Sequence, residues 1–290
     1  MLDLDPARAD TPPRDASTLV VVRDSAKGEG IEVFCVERQK AGFLGGAVVF
    51  PGGKLDPGDL DPAWAALVTS PRAWESPNCA DESALRGLAV AACREALEEA
   101  AILPVDGARP VHSDLLEWRR RLAHEEATLR ELLEARGLRL DLAALHPLAR
   151  WITPISESRR FDTRFFLFVA DASLTGAHDD HETTASFWAA PGEVLRRFGS
   201  RELQLAPPTH RTLEVLATAR HTRDALAIAE GACLEPVCPR LVTHRDALGE
   251  TMGLALPGDP EHEVRKARSP GRSRYVLRGD RFVPEDPPST

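Results

Sequence analysis

The sequence predicts an α/β protein, and three stretches carry that reading. Apolar and β-branched residues fill positions 18–23 and 31–36 on either side of a glycine-containing loop, the pattern of a hairpin. A helical segment begins near Asp81 or Ser83, either of which can cap it, runs through Arg94 and Glu99, and stops before Pro104. Phe165-Phe166-Leu167-Phe168-Val169 is apolar throughout, which suits a strand buried on both faces.

The other elements fall between these. Positions 1–16 read as a loose polar tail. Positions 47–50 form a short apolar strand closed by Pro51-Gly52-Gly53. The stretch 56–81 is rich in Pro, Asp and Ser and reads as an inserted loop. A second helical segment covers roughly 113–136, with Leu115, Trp118, Leu122, Leu129, Leu132 and Leu133 apolar, and Gly137 ends it. Strand character returns at Trp151-Ile152-Thr153 and at Phe187-Trp188. Positions 191–198 read as a helix with proline in its first turn. Beyond about Glu261 the chain is charged and proline-rich, and orders only against the body. The domain reading is a tail over 1–16, a core domain over 17–200 with insertions at about 57–81 and 110–148, and an extension over 201–290 that packs on the core.

Composition narrows the class. The 290 residues, 43% of them hydrophobic, suffice for a sizeable core. No apolar run is long enough to span a bilayer, and the N-terminal stretch has no secretion pattern. The five scattered cysteines read as reduced thiols, and the expected location is the cytoplasm. Cys233 and Cys238 lie close together but lack further partners at zinc-site spacing. A net charge of -9 argues against a nucleic-acid partner. It is compatible with a small anionic substrate, because metal ions can supply local positive charge. Nothing in the sequence sets an oligomeric state.

The segment Arg94-Glu95-Ala96-Leu97-Glu98-Glu99 carries the chemistry. On a helix Glu95 lies three residues from Glu98 and four from Glu99, so the carboxylates project from one side. Like charges at this spacing repel unless something binds them, and hard divalent cations want oxygen ligands. A Glu-Glu pair alone is more often a solvated helix face. Here Leu88, Ala92, Glu95 and Glu99 share one helical stripe, so two of the acids continue an apolar face and need partners there. Arg94 and Glu98, four apart, can pair. Upstream, Gly52 and Gly53 form a tight turn in which backbone can approach a ligand closely.

Taken together, Gly53, the acidic segment 56–59 and Arg94-Glu95-x-x-Glu98-Glu99 resemble the signature box of the Nudix hydrolase family. Asp59 stands in the place of the first glutamate, a long insertion separates it from Arg94, Ala96 replaces a larger aliphatic residue, and Ala101 replaces the second glycine. The run Glu37-Arg38-Gln39-Lys40-Ala41-Gly42-Phe43 with Val49-Phe50-Pro51-Gly52-Gly53-Lys54-Leu55-Asp56 is similar to the region before the box in coenzyme A-cleaving members. Trp151-Ile152-Thr153-Pro154, Arg160-Phe161-Asp162-Thr163-Arg164, Leu205-Ala206-Pro207-Pro208 and Leu256-Pro257-Gly258-Asp259 extend the likeness toward the mammalian peroxisomal branch of that subgroup.

The resemblance implies an α/β/α sandwich around a mixed β-sheet, with a helical insertion and a C-terminal extension. It implies Mg2+ or Mn2+ held by Glu95, Glu98 and Glu99, which are also the catalytic residues, and substrate contacts at Arg38, Phe43, Gly52 and Gly53. Glu182, where several members place an extra acid, joins the catalytic set as a metal ligand or base; a surface-loop acid is the equal alternative. Arg159 and Arg160 precede a buried strand, and arginine suits bidentate phosphate binding; Arg160 joins the substrate contacts, with a structural ion pair, such as one to Asp162, as the equal alternative. Phe43 offers a stacking surface, although such a phenylalanine is more often core. Arg119, Arg120 and Arg121 are candidates for the 3′-phosphate of the coenzyme, a solvated basic face being the commoner reading. No histidine pair has ligand spacing, and Ser156 and Ser158 lack a nucleophile-elbow context.

The implied reaction is metal-assisted water attack on the diphosphate of coenzyme A or acyl-CoA, giving 3′,5′-ADP and a 4′-phosphopantetheine or its acyl derivative. The alternatives are another nucleoside diphosphate linked to a group X, such as NADH or ADP-ribose, and a catalytically silent ligand-binding module of the same fold. Both insertions are expected to shape a wall for the pantetheine arm or for a partner subunit.

Overall fold

The computed structural model describes residues 3–28, 30–39, 45–72, 82–179 and 183–287. Strands β1 (Arg14–Asp24), β2 (Ile31–Arg38), β3 (Ala47–Val49) and β4 (Gly52–Lys54) come first. Helix α1 (Glu82–Ala100) follows, then β5 (Val105–Asp106), α2 (His112–Ala123), α3 (Leu129–Arg136) and β6 (Arg139–Leu140). β7 (His146–Ile152), β8 (Phe161–Val169) and β9 (Thr183–Ala189) lead to α4 (Pro191–Gly199), β10 (Gln204–Leu205), α5 (Pro207–Leu216) and α6 (Thr222–Glu230). The last strands are β11 (Arg240–Asp246), β12 (Gly249–Ala255), β13 (Arg274–Arg278) and β14 (Arg281–Glu285).

The main sheet has the order β10-β3-β2-β1-β8-β7, with β4 added on β1 and β9 on β2. β1 runs parallel to β8, while β2 and β4 pair with β1 antiparallel, so the sheet is mixed. Side chains alternate across it. Leu19, Val21, Phe34, Val36, Phe166 and Phe168 join one core with α1, and Val20, Val22, Val33, Cys35, Phe165 and Leu167 join a second with α4, α5 and α6. The run 165–169 is therefore covered on both faces, as its composition predicts. Each large apolar side chain so buried contributes roughly 1.5–3 kcal/mol.

Three elements differ from the sequence reading. β1 starts at Arg14, inside the expected tail, because parallel pairing with β8 from Phe161 onward satisfies its backbone groups. The helical segment 113–136 is two helices: Glu125 takes a φ of 53°, and Thr128 with Glu131 forms a capping box that starts α3 afresh. Of the two candidate caps for α1, Ser83 lies inside the helix, and Asp81 lies outside the described residues.

The C-terminal stretch orders by pairing. β11 to β14 form an antiparallel sheet, and Leu254, Leu256, Tyr275 and Phe282 join the core shared with α4 to α6. Arg274, wholly buried, is held by Asp259 and Glu261 at 2.6 Å each. Cys35, Cys93, Cys233 and Cys238 are free thiols; burial pushes the Cys35 thiol up to about 12. Among the described residues no helix is long and apolar enough to cross a membrane.

Candidate active site

The site forms where β4 leaves the sheet beneath α1. Ser17 and Thr18 of β1 lie opposite Gly53 and Gly52 of β4. A Cβ at Gly52 would stand 2.5 Å from the Ser17 carbonyl oxygen. One at Gly53 would meet the Glu95 carboxylate at 2.3–2.6 Å. Both positions require glycine because backbone and carboxylate already fill the space a side chain would take.

α1 presents its acids as the helical spacing predicts, but their environments differ. Leu88, Ala92 and Glu99 are buried in one stripe. The Glu99 carboxylate accepts the Gly52 N–H at 3.0 Å and pairs with Arg38 at 3.4 Å. It thereby ties the glycine turn to the helix. Glu95 and Glu98 line a cavity of about 670 Å³ together with Arg38, Gly52 and Gly53. Burial raises the Glu98 carboxyl above its ordinary range, and Arg94 only partly offsets this.

Arg94 organises the acids. Its Nε and Nη2 each donate to Asp59 at 3.0 Å, and its Nη1 donates to Glu95 and Glu98 at 3.0 Å each. Nη2 also donates to the Lys54 carbonyl at 2.9 Å. Burial works against the arginine's charge, but the Asp59 bond and the Glu95 and Glu98 carboxylates outweigh it and hold it protonated. Asp59 is buried and also accepts the Asp56 N–H at 2.9 Å. It stands behind the arginine as its anchor and does not line the cavity. Ala101, in place of the family's second glycine, ends α1 with a φ of 52°, a left-handed conformation costing about 1 kcal/mol in a residue with a Cβ.

The cavity extends from the glutamates along one face of β1 and β8. Ala16, Thr18, Thr163, Phe165, Trp151 and Phe161 form its floor. Its opposite side comes from the C-terminal extension: Pro207, Pro208 and Thr209 at the start of α5, Pro239, and Leu254. No residue from the insertion 110–148 or from 57–72 lines it, so within the described residues the wall expected from the inserts is built by the extension. α2 and α3 instead bury Leu115, Trp118, Leu132 and Leu133 against the α1 core.

Arg160 is not in the cavity. Its guanidinium is buried on Asp10 and the Thr11 carbonyl, and donates to the Thr153 carbonyl at 3.1 Å. Asp162 pairs with Arg150 and Arg164 at 2.6 and 3.1 Å. The neighbouring Arg159 lines the cavity. The arginines on α2 are absent from its lining: Arg119 donates to the carbonyls of Ala177 and His178, and Arg120 pairs with Glu117 and Glu126. Phe43 and Glu182 lie outside the described residues. Sequence reasoning missed Lys54 and the α5 N-terminus as cavity residues. The proline pair at 207–208 was the only local signal for the latter.

A mixed sheet between helical layers, with glutamates of one helix gathered over a Gly-Gly turn, defines a family. The model for the NUDT19 Nudix domain matches residues 75–216. The acyl-coenzyme A diphosphatase NUDT19 of Gallus gallus is 28% identical over 270 residues, 78% of this chain and 71% of that protein. The Homo sapiens protein of the same name is 28% identical over 274 residues, 80% and 72% of the two chains. The crystal structure of a NUDIX hydrolase from Alicyclobacillus acidocaldarius is 34% identical, with a TM-score of 0.61, covering 76% of this chain and 97% of that one. The chain belongs to the Nudix hydrolase family, whose members are generally dependent on divalent metal.

Proposed function

We propose that the chain hydrolyses the diphosphate of coenzyme A or an acyl-CoA to 3′,5′-ADP and a 4′-phosphopantetheine or its acyl derivative, with Mg2+ or Mn2+. The observation that carries the reading is the cavity itself, which joins the α1 glutamates to a long, largely apolar trough. That shape suits a substrate with a charged centre and an extended arm. The resemblance of the chicken and human acyl-coenzyme A diphosphatases over most of the chain supports the same substrate.

The donor set fits a hard divalent cation. Glu95 and Glu98 present carboxylate oxygens at the cavity, and Glu99 completes the acidic group from behind the turn. When bound, the cation neutralises charge on the diphosphate and favours attack by water. The chain's own residues do the rest. Gly52 and Gly53 leave the floor open so that a phosphate can approach the backbone. Arg94 fixes Glu95 and Glu98 in place while its own charge is spent on Asp59. Arg38, tied to Glu99, brings a guanidinium to the cavity edge. The apolar floor excludes bulk water and strengthens these interactions. Glu182 remains the proposed extra acid. The free cysteines support a reducing compartment such as the cytoplasm.

Turnover of coenzyme A, an acyl-CoA, NADH and ADP-ribose, with and without Mg2+ or Mn2+, tests this. Coenzyme A and its ester should give the highest kcat/KM, chelation should abolish activity, and either metal should restore it. Comparable rates on all four would remove the substrate assignment. No metal-dependent turnover of any would show a binding module instead.

A further inference from the structure

Most arginines of this acidic chain are spent on ion pairs or carbonyls, and the cavity holds an exception. Arg159, exposed in the turn between β7 and β8, lines its far end. Arg14, also exposed, stands directly opposite Phe161 on the neighbouring strand. Lys54, opposite Ala16, lies two residues further toward the glutamates. Among the described residues, none of these three side chains has an ion pair or a hydrogen bond. Arg14, Ala16 and Thr18 alternate along one face of β1, and their partners Phe161, Thr163 and Phe165 share it. From Ser17, beside Gly53 and the Glu95 carboxylate, to Arg14 is three residues of strand, about 10 Å. The cavity thus runs from an acidic end, past one lysine and a partly exposed Phe161, to the unengaged guanidinium of Arg159, with Arg14 outside the lining, opposite Phe161 on the next strand.

We infer that this cationic end is a phosphate subsite, with Arg159 and Arg14 taking the ribose 3′-phosphate of the coenzyme. The inference rests on the proposed substrate and assigns its orientation. On one side of the scissile diphosphate is a pantetheine arm, neutral along its length. On the other is an adenosine carrying a dianionic phosphate one ribose away. Only the second half gives two arginines a partner, and guanidinium forks match phosphate oxygens bidentately. Phe161, which lines the cavity and stands opposite Arg14, offers adenine an aromatic surface. The adenosine half therefore lies on the β7–β8 side, and the pantetheine arm leaves in the other direction.

The test compares ligands that differ only in that phosphate. By calorimetry the wild type should bind adenosine 3′,5′-bisphosphate about tenfold or more tighter than AMP, the worth of one charged hydrogen bond. R159A should erase the difference, R14A should reduce it, and R159K should recover part of it. In turnover, R159A should raise KM for coenzyme A with little change in kcat, and leave dephospho-coenzyme A unaffected. Equal losses on both coenzymes, or a 3′-phosphate preference that survives in R159A and R14A, would overturn the subsite. A wild type that cleaves neither coenzyme, yet keeps an Arg159-dependent preference for the bisphosphate, would overturn the proposed reaction and leave the subsite standing.

Discussion

Two groups of acids in this molecule invite the same reading and have opposite characters. At the C-terminal sheet, ligand atoms of His244, Asp246 and Glu285 all lie within 4.8 Å of one another, a spacing that suits a metal ion. Arg278 already fills the role: its Nη2 contacts Asp246, and it grips Glu285 through two nitrogens at 2.6 Å. At α1, one arginine faces four carboxylates, those of Asp56, Asp59, Glu95 and Glu98. Asp59 takes both Nε and Nη2, while Glu95 and Glu98 both accept from Nη1. They also face a cavity. Carboxylates that open on a cavity, and not the nearness of acids, distinguish a cation site from an ion-pair network.

The largest expected effect lies in the α1 group. E95Q or E98Q should lower turnover by at least about a hundredfold, since each removes charge from the site that must stabilise the transition state. The fold should not suffer. Because burial raises the Glu98 carboxyl, its ionisation opposes folding once pH rises through that raised value, so E98Q should hold or increase Tm at neutral pH. Near-normal turnover in both variants would erase the contrast between the two groups.

G53A should come next. Its methyl would occupy the Glu95 carboxylate position, so either the carboxylate or β4 must shift. A displacement of about 1 Å at a reacting centre costs on the order of a hundredfold in rate. Retained activity would mean that the Glu95 position is not used.

E285Q should do least. Turnover should stay at the wild-type level, and the stability loss should stay within about 1 kcal/mol, as for a partly exposed pair. Arg278 holds the Glu285 carboxyl below its ordinary value, so that contribution is present above the ordinary carboxylate range and disappears as pH falls through the lowered one. Tm of E285Q and wild type should therefore converge in acid. A difference that persists there, or lost turnover, would give this group a role that its geometry denies.

The sequence by itself determined what spacing along the chain controls. Helical periodicity put Glu95, Glu98 and Glu99 on one side of α1, alternation in a strand put Phe165 and Phe166 into opposite cores, and Gly52-Gly53 marked the turn where backbone and carboxylate crowd. Arg94 with Glu98 was legible for the same reason. What tertiary structure alone decided are contacts between segments far apart. Arg94 finds Asp59 across 35 residues, Glu99 turns to the Gly52 amide across 47, and the cavity borrows Pro207, Pro208 and Leu254 from the extension. Arg159 and Arg160 show the limit most sharply. They are adjacent and chemically identical, yet one lines the cavity and the other is buried on Asp10. Both precede β8, and what separates them is that Asp10, Thr11 and Thr153 gather around Arg160 while Arg159 is left at the cavity, an arrangement of segments distant in sequence that only the assembled sheet creates.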